Sequence, residues 1–331
     1  MIIAEIAQAH EGSLGTAHAY IDALANTGVD AVKFQTHIAA AESSEFEPFR
    51  IKFSRQDSSR YNYWKRMEFS LKGWKELKEH CEENNLEFIS SPFSLAAVDI
   101  LESIGVKRYK VGSGEISNLL MLEKIAKTNK PIILSTGISP FEELDKTIQF
   151  LCNYDLSLTV MQCTTSYPTK PDQWGLNVIQ ELKQRYGLPV GFSDHSGTIY
   201  ASLAAAVMGA EVFEFHVVFD NRQFGPDVSS SITIDQVKIL TEGIKTIQTA
   251  MNNPLNKDNI HQFEDLKNMF GKSLSVNNYK KAGEIIEFED LESKKPSEYG
   301  IPANEFEKIV GKTLNKKLEK WSFINWEDLD Q

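Results

Sequence analysis

The 331-residue sequence predicts a (β/α)8 TIM barrel followed by a small β-rich module. Eight short apolar runs rich in β-branched residues recur along it, each followed by a longer stretch of helical period. No GxGxxG turn follows the first run, which argues against the alternative, a doubly wound open sheet.

The runs are residues 1–7 (MIIAEIA), 31–36 (AVKFQT), 87–93 (EFISSPF), 108–114 (RYKVGSG), 131–137 (PIILSTG), 158–164 (LTVMQCT), 189–195 (PVGFSDH) and 212–218 (VFEFHVV). Helical periodicity is clearest at 16–26, 71–83, 119–128, 201–208 and 234–251. The barrel is thus expected over 1–252. Residues 253–272 are polar, carry no strand signal and read as a linker, and 273–331 read as a second domain of short strands and turns. Such a module is near the lower size limit for folding alone and needs a packing surface. A long polar and aromatic insertion, 38–69, interrupts the pattern after the second run. On the catalytic face it is expected to be a lid or a substrate-contacting loop.

Composition narrows the partners. Hydrophobic residues make up 41%, charged residues 24%, and the formal net charge is −11 with Lys and Arg dispersed, which excludes nucleic acid or an anionic membrane as the main partner. Cys81, Cys152 and Cys163 form no CxxC pattern, so neither a disulfide framework nor a zinc cluster is indicated. No apolar run reaches the ~18 residues of a membrane span, and MIIAEIAQAHEG lacks the layout of a signal peptide, so a cytoplasmic protein is expected.

In a barrel, polar residues at the C-terminal strand ends point into the active site. Here those positions hold Glu5; Lys33, Gln35 and His37; Ser90 and Ser91; Lys110, Ser113 and Glu115; Ser135 and Thr136; Thr164, Thr165 and Tyr167; Ser193, Asp194 and His195; and His216, with Asp227 in the loop beyond. Two lysines and several hydroxyls beside glycine-rich backbone make a cradle for an oxyanion such as phosphate or carboxylate. The structural alternative is that Lys33 and Lys110 merely pair with Glu5 or Glu115. His195 and His216 end adjacent strands, so both imidazoles can approach one divalent metal and leave room for water or substrate. Strand-end histidines also serve as simple hydrogen-bonding residues. His10 and His37 compete for the metal role, His10 alternatively ordering its loop, while His18, His80 and His261 are expected to be exposed.

The same strand ends carry a resemblance to the sialic acid synthases, the bacterial NeuB-like enzymes. It runs through EIAQAHEGS, VKFQTH, FISSPFS, YKVGSGE, PIILSTG, CTTSYPT, GFSDHS, FEFH and FGPD, then through GEIIEFEDL, KKPSEYGIP and IVGKTL, in fixed order and over nearly the whole chain. The resemblance implies a barrel joined to an antifreeze-like (SAF) domain at 273–331, which caps the partner's barrel in a domain-swapped homodimer. It implies condensation of phosphoenolpyruvate with an N-acyl amino sugar, N-acetylmannosamine or a 2,4-diacetamido-6-deoxy hexose, to a nine-carbon 2-keto acid and phosphate. Lys33, Lys110, Ser113, Ser135, Thr165 and Ser193 would bind phosphoenolpyruvate. Gln35, Tyr167, Asp227 and, from the SAF domain, Lys295 would meet the sugar. His195 and His216 would hold a divalent metal, Mn2+ or alternatively Mg2+ or Co2+, and Glu5 and Glu115 would be candidates for moving protons.

This chain departs from the family pattern at three places. Ala9 stands where many members have asparagine, Lys295 where the family has the arginine of a KRP motif, and Arg60 to Arg66 form an RYxYW-like stretch of other branches. Lysine keeps the charge at 295 but loses planar bidentate donation. Two other functions compete. A synthase acting on a phosphorylated aldose, like the KDO 8-phosphate and DAHP synthases, would require an extra arginine cluster, and the strand ends carry none. A carbohydrate-binding protein without turnover would have lost the lysines or histidines, and all are present.

Overall fold

The computed structural model describes residues 1–51, 53–259 and 261–330, which form two compact units, Met1–Asn253 and Pro254–Gln331. In the first unit eight parallel strands make the barrel: β1 (Ile2–Glu5), β2 (Ala31–Thr36), β3 (Glu87–Pro92), β4 (Tyr109–Val111), β5 (Ile132–Ser135), β6 (Leu158–Cys163), β7 (Val190–Asp194) and β8 (Val212–Val218). Their hydrogen-bonded order is β3-β2-β1-β8-β7-β6-β5-β4, and β3 packs beside β4 where the ring closes. A short ninth strand, β9 (Ser231–Thr233), adds to β8 in parallel and was not expected.

The helices are α1 (Leu14–Leu24), α2 (Ala39–Glu42), α3 (Arg60–Met67), α4 (Leu71–Glu83), α5 (Leu95–Ile104), α6 (Leu119–Ala126), α7 (Phe141–Leu151), α8 (Leu176–Tyr186), α9 (Tyr200–Val207) and α10 (Ile234–Asn252). Caps set several starts. Ser13, Ser59, Ser70 and Ser94 accept from the backbone N–H three residues on, satisfying a donor that the first helical turn leaves unpaired.

Strand alternation divides the core and creates the site. On β1, β2 and β8, residues Ile2, Ala4, Val32, Phe34, Phe213, Phe215 and Val217 face outward into the layer shared with the helices. The alternate residues face the barrel axis, where Ile3, Ala31, Ile89, Ile133, Met161 and Val212 form a buried apolar floor. Two residues further along each strand, on the same inward face, stand Glu5, Lys33, Ser91, Ser135, Cys163 and Glu214. A polar layer therefore rests on an apolar one.

The insertion after β2 is ordered by α2 and α3 and tied back to the barrel. Arg66 on α3 bonds both carboxylate oxygens of Asp57, at 3.0 and 2.8 Å, and reaches the carbonyl and carboxylate of Glu11 at 3.0 and 2.8 Å. Gly12 makes that approach feasible: its φ is +79°, and a Cβ there would lie 2.2 Å from the Arg66 carbonyl oxygen.

In the second unit, α11 (Glu264–Phe270) lies inside the stretch read as a linker. Beyond it β10 (Ser273–Val276) pairs antiparallel with β11 (Leu291–Lys294), and short 3-10 turns surround a small core that includes Leu274, Val276, Ile286, Ile309 and Leu314. Among the described residues no helix is long and apolar enough to cross a membrane.

Candidate active site

A cavity of about 290 Å³ opens at the C-terminal ends of the barrel strands. It brings together twelve of the residues to which the resemblance gives a role: Glu5, Lys33, Gln35, Lys110, Ser113, Ser135, Thr165, Tyr167, Ser193, His195, His216 and Asp227. Ser91 lines it too, whereas His37, Ser90, Thr136, Thr164 and Asp194 do not, nor do two residues given roles, Glu115 and Lys295. Glu115 sits in the 3-10 turn Ser113–Glu115 after β4, away from the lining, where it accepts from Asn118 at 2.7 Å. Lys295 lies exposed in the second unit with its ammonium 4.8 Å from the Phe270 ring.

At the base, charged groups interlock. Lys33 is ion-paired with Glu5 and bonds Ser91 at 3.2 Å. Lys110 pairs at 2.9 Å with Glu214, a residue the sequence reading passed over in favour of Glu115, and Ser193 donates to the same Glu214 oxygen at 3.0 Å. The signal was present: Glu214 is two residues before His216 on β8 and shares its inward face. The two buried carboxylates differ in environment. Burial, together with the charge of Glu214, raises Glu5 to about 7 in spite of Lys33. Glu214 lies between two lysines, which outweigh its burial and hold it down at about 2. Such a divergence separates a group able to carry a proton from a fixed charge.

On the β5 side the hydroxyl of Ser135 is buried and, among the described residues, has no hydrogen-bond partner. Next to it Gly137 donates its N–H to Ser113 at 2.9 Å. A Cβ on Gly137 would come within 2.3 Å of Thr165 Oγ1 and 3.0 Å of Cys163 Sγ, so the hydroxyls can converge only because residue 137 is glycine. With Lys33 and Lys110, these hydroxyls and backbone N–H groups form a donor-rich wall of a kind that suits an oxyanion.

Opposite it, the His195 and His216 rings lie 5.2 Å apart between centroids, with Tyr167 4.3 Å from His195. The Nδ1 of His195 faces the Thr164 carbonyl at 3.1 Å, which fixes the ring. Burial lowers His216 to about 3, so it is the neutral imidazole that a cation binds. Among the described residues no group of three or more His, Cys, Asp or Glu is arranged to hold a metal ion. His10 is buried against Phe69 and accepts from Gly12 at 3.0 Å, in keeping with a loop-ordering role. His37 is sandwiched between Trp64 and Phe93.

Part of the remaining wall comes from the insertion 38–69, which the sequence marks as a lid or substrate-contacting loop. The insertion contributes Arg50, Arg60 and Trp64, and the β1 turn contributes Gln8. Arg50 pairs with Asp227 at 2.7 Å and lies 4.0 Å above the Tyr167 ring. Thus the barrel mouth does hold arginines, delivered by a loop and not by strand ends.

Comparison with known proteins bears on the family and the fold. A sequence profile of the NeuB family matches residues 20–256. The chain is 36% identical over 330 residues to the N,N'-diacetyllegionaminic acid synthase of Campylobacter jejuni, covering 98% of both chains. It is 31% identical to a pseudaminic acid synthase of the same species, covering 96% of this chain and 93% of that one. Among solved structures it resembles the N-acetylneuraminic acid synthetase of Leptospira borgpetersenii, with a TM-score of 0.71 and 28% identity over 80% of this chain and 90% of that one. A barrel whose strand ends converge on one polar cavity, matched by its family profile and by full-length relatives, identifies this chain as a member of the NeuB family and an enzyme, a nonulosonic acid synthase.

Proposed function

We propose that the chain condenses phosphoenolpyruvate with an N-acyl amino sugar and water, releasing phosphate by C–O cleavage. The observation that carries this reading is the buried Ser135 hydroxyl, unpartnered among the described residues, in the cavity that Lys33, Lys110, Ser193, His195 and His216 also line. Lys33, Lys110, Ser113, Ser135, Thr165 and Ser193 bind the phosphate and carboxylate of phosphoenolpyruvate. Gln35, Tyr167 and Asp227 orient the sugar. Orientation counts for much here, because holding C3 of the enol phosphate against the aldehyde carbon turns a bimolecular step into a local one. As that C–C bond forms, positive charge develops at C2, water adds there, and the tetrahedral hemiketal phosphate expels phosphate. Glu214, paired with Lys110 at 2.9 Å and facing Lys33 at 3.8 Å, is a carboxylate available to stabilise that cationic character. Glu5, bonded by Gln35 at 3.2 Å, is the group placed to carry a proton.

His195 and His216 would hold a divalent cation, Mn2+ first, whose chemistry is to polarise the sugar aldehyde as a Lewis acid. Residues 273–331 correspond on this reading to an SAF domain that caps a partner's barrel in a swapped homodimer, with Lys295 contributing to sugar selection. The cytoplasm supplies the phosphoenolpyruvate.

The test is phosphate release. Purified protein with phosphoenolpyruvate, Mn2+ and a panel of N-acyl hexosamines, including di-N-acetylated 6-deoxy sugars, is expected to release phosphate in step with keto-acid formation. Release with none of them would refute the reading.

A further inference from the structure

The insertion between β2 and α4 sets two arginines into the cavity wall, and among the described residues most of their N–H donors have no protein acceptor. Arg60, at the start of α3, lies 4.0 Å above the Trp64 ring with only 14% of its side chain exposed. Among the described residues no acceptor takes a hydrogen bond from its guanidinium. Its one carboxylate neighbour is Glu47 at 3.5 Å, and Glu47 is already engaged by the Trp64 indole N–H at 3.0 Å and by the Ser43 hydroxyl. Burial accordingly lowers the Arg60 pKa from its usual value.

Arg50 is in a different position. It covers the Tyr167 ring and occupies Asp227, the two groups assigned above to the sugar. A sugar hydroxyl that bonds Asp227 shares the one carboxylate that Arg50 pairs with, through a single oxygen at 2.7 Å, and weakens the hold of that carboxylate on Arg50. At the base of the cavity two lysines are matched by Glu5 and Glu214. On this wall two arginines face Asp227 alone among the lining carboxylates.

We infer that Arg60 and Arg50 form an oxyanion subsite for the acceptor, and that this enzyme prefers an N-acyl amino sugar carrying a phosphate ester or a carboxylate to a neutral one. The inference rests on the function proposed above and specifies its substrate. A guanidinium has five N–H donors in a planar fork that fits phosphate or carboxylate bidentately, whereas an amide carbonyl or a hydroxyl would leave most of them unpaired. Stacking on Trp64 holds the Arg60 fork in one plane, and the Trp64 ring is itself stacked 4.0 Å from His37, so the subsite is built before the ligand arrives. Both arginines come from the segment 38–69, so the sugar's charge is read within one chain.

Steady-state kinetics on the Mn2+-loaded full chain test this with four acceptors: N-acetylmannosamine, its 6-phosphate, N-acetylmannosaminuronic acid and a neutral di-N-acetylated 6-deoxy hexose. At least one anionic sugar is expected to exceed both neutral ones tenfold or more in kcat/KM, and which of the two does so tells phosphate from carboxylate. Arg60→Gln and Arg50→Gln should each reduce that preference about tenfold or more through the acceptor KM, and Arg60→Lys should restore part of it. A neutral sugar equal to both anionic ones, or an Arg60→Gln effect confined to the KM for phosphoenolpyruvate, would overturn the inference. If no sugar supports phosphate release, the proposed function fails. Calorimetric titration of the same sugars into metal-free protein then decides the subsite: tighter binding of an anionic sugar, lost in Arg60→Gln, upholds it, and equal binding of charged and neutral sugars removes it.

Discussion

At the scale of single residues, the site is a set of buried charges that are tolerable only in pairs. Lys110 and Glu214 lie within 2.9 Å with almost no solvent contact, so removing Lys110 leaves the buried Glu214 with only the more distant Lys33, at 3.8 Å. Lys110→Met is expected to destabilise the protein by about 3–5 kcal/mol, and adding Glu214→Gln should recover much of that loss, as read by urea unfolding. If Lys110→Met alone left stability unchanged, the pair would not be the buried unit described. Glu5→Gln keeps shape and removes the proton, so kcat should fall about 10²–10⁴-fold with the circular dichroism spectrum unchanged. Ser135→Ala, which deletes a hydroxyl with no partner among the described residues, should raise the KM for phosphoenolpyruvate while leaving the melting temperature within a few degrees. Most of these residues were legible because strand ends and alternation point them inward. Glu115 lies outside the cavity lining for a local reason: the backbone turns into a 3-10 helix at Ser113, and the strand periodicity that projects Lys110 inward has ended by then.

At the scale of elements, the insertion decides what the cavity mouth contains. Its length and aromatic content marked it as a functional loop, but which side chains it would turn inward depended on tertiary contacts that no local pattern encodes. One is the Arg66 clamp on Asp57 and Glu11. Another is the stack of Trp64 on His37. Arg66→Gln should release the segment around 44–58 to limited proteolysis while the barrel resists, and equal resistance in both proteins would argue against the clamp. The clamp also has a pH dependence of known sign. Hydrogen bonds from Arg66 lower the Asp57 pKa below its usual 3.8, so its stabilising contribution is complete above that value and is lost as the pH falls through the lowered one. Asp57→Asn should lack this acid limb in protection of the segment.

At the scale of the whole molecule, the eight strands were readable because a parallel barrel strand, buried on both faces, shows as a continuous apolar run. The weaker parts were β9, only three residues long, and the second unit, where short bridges and 3-10 turns leave little periodicity. The layering of the barrel places function: an apolar floor with charged residues one step above it on the same strands. This layered cavity is proposed to make a carbon–carbon bond and then cleave the C–O bond of an enol phosphate, a route with a specific isotopic outcome. Phosphoenolpyruvate carrying 18O in the bridging C–O–P position, turned over with Mn2+ and the accepted sugar, should deliver the label to the released phosphate. Label retained in the keto-acid product would mean P–O cleavage and would contradict the account.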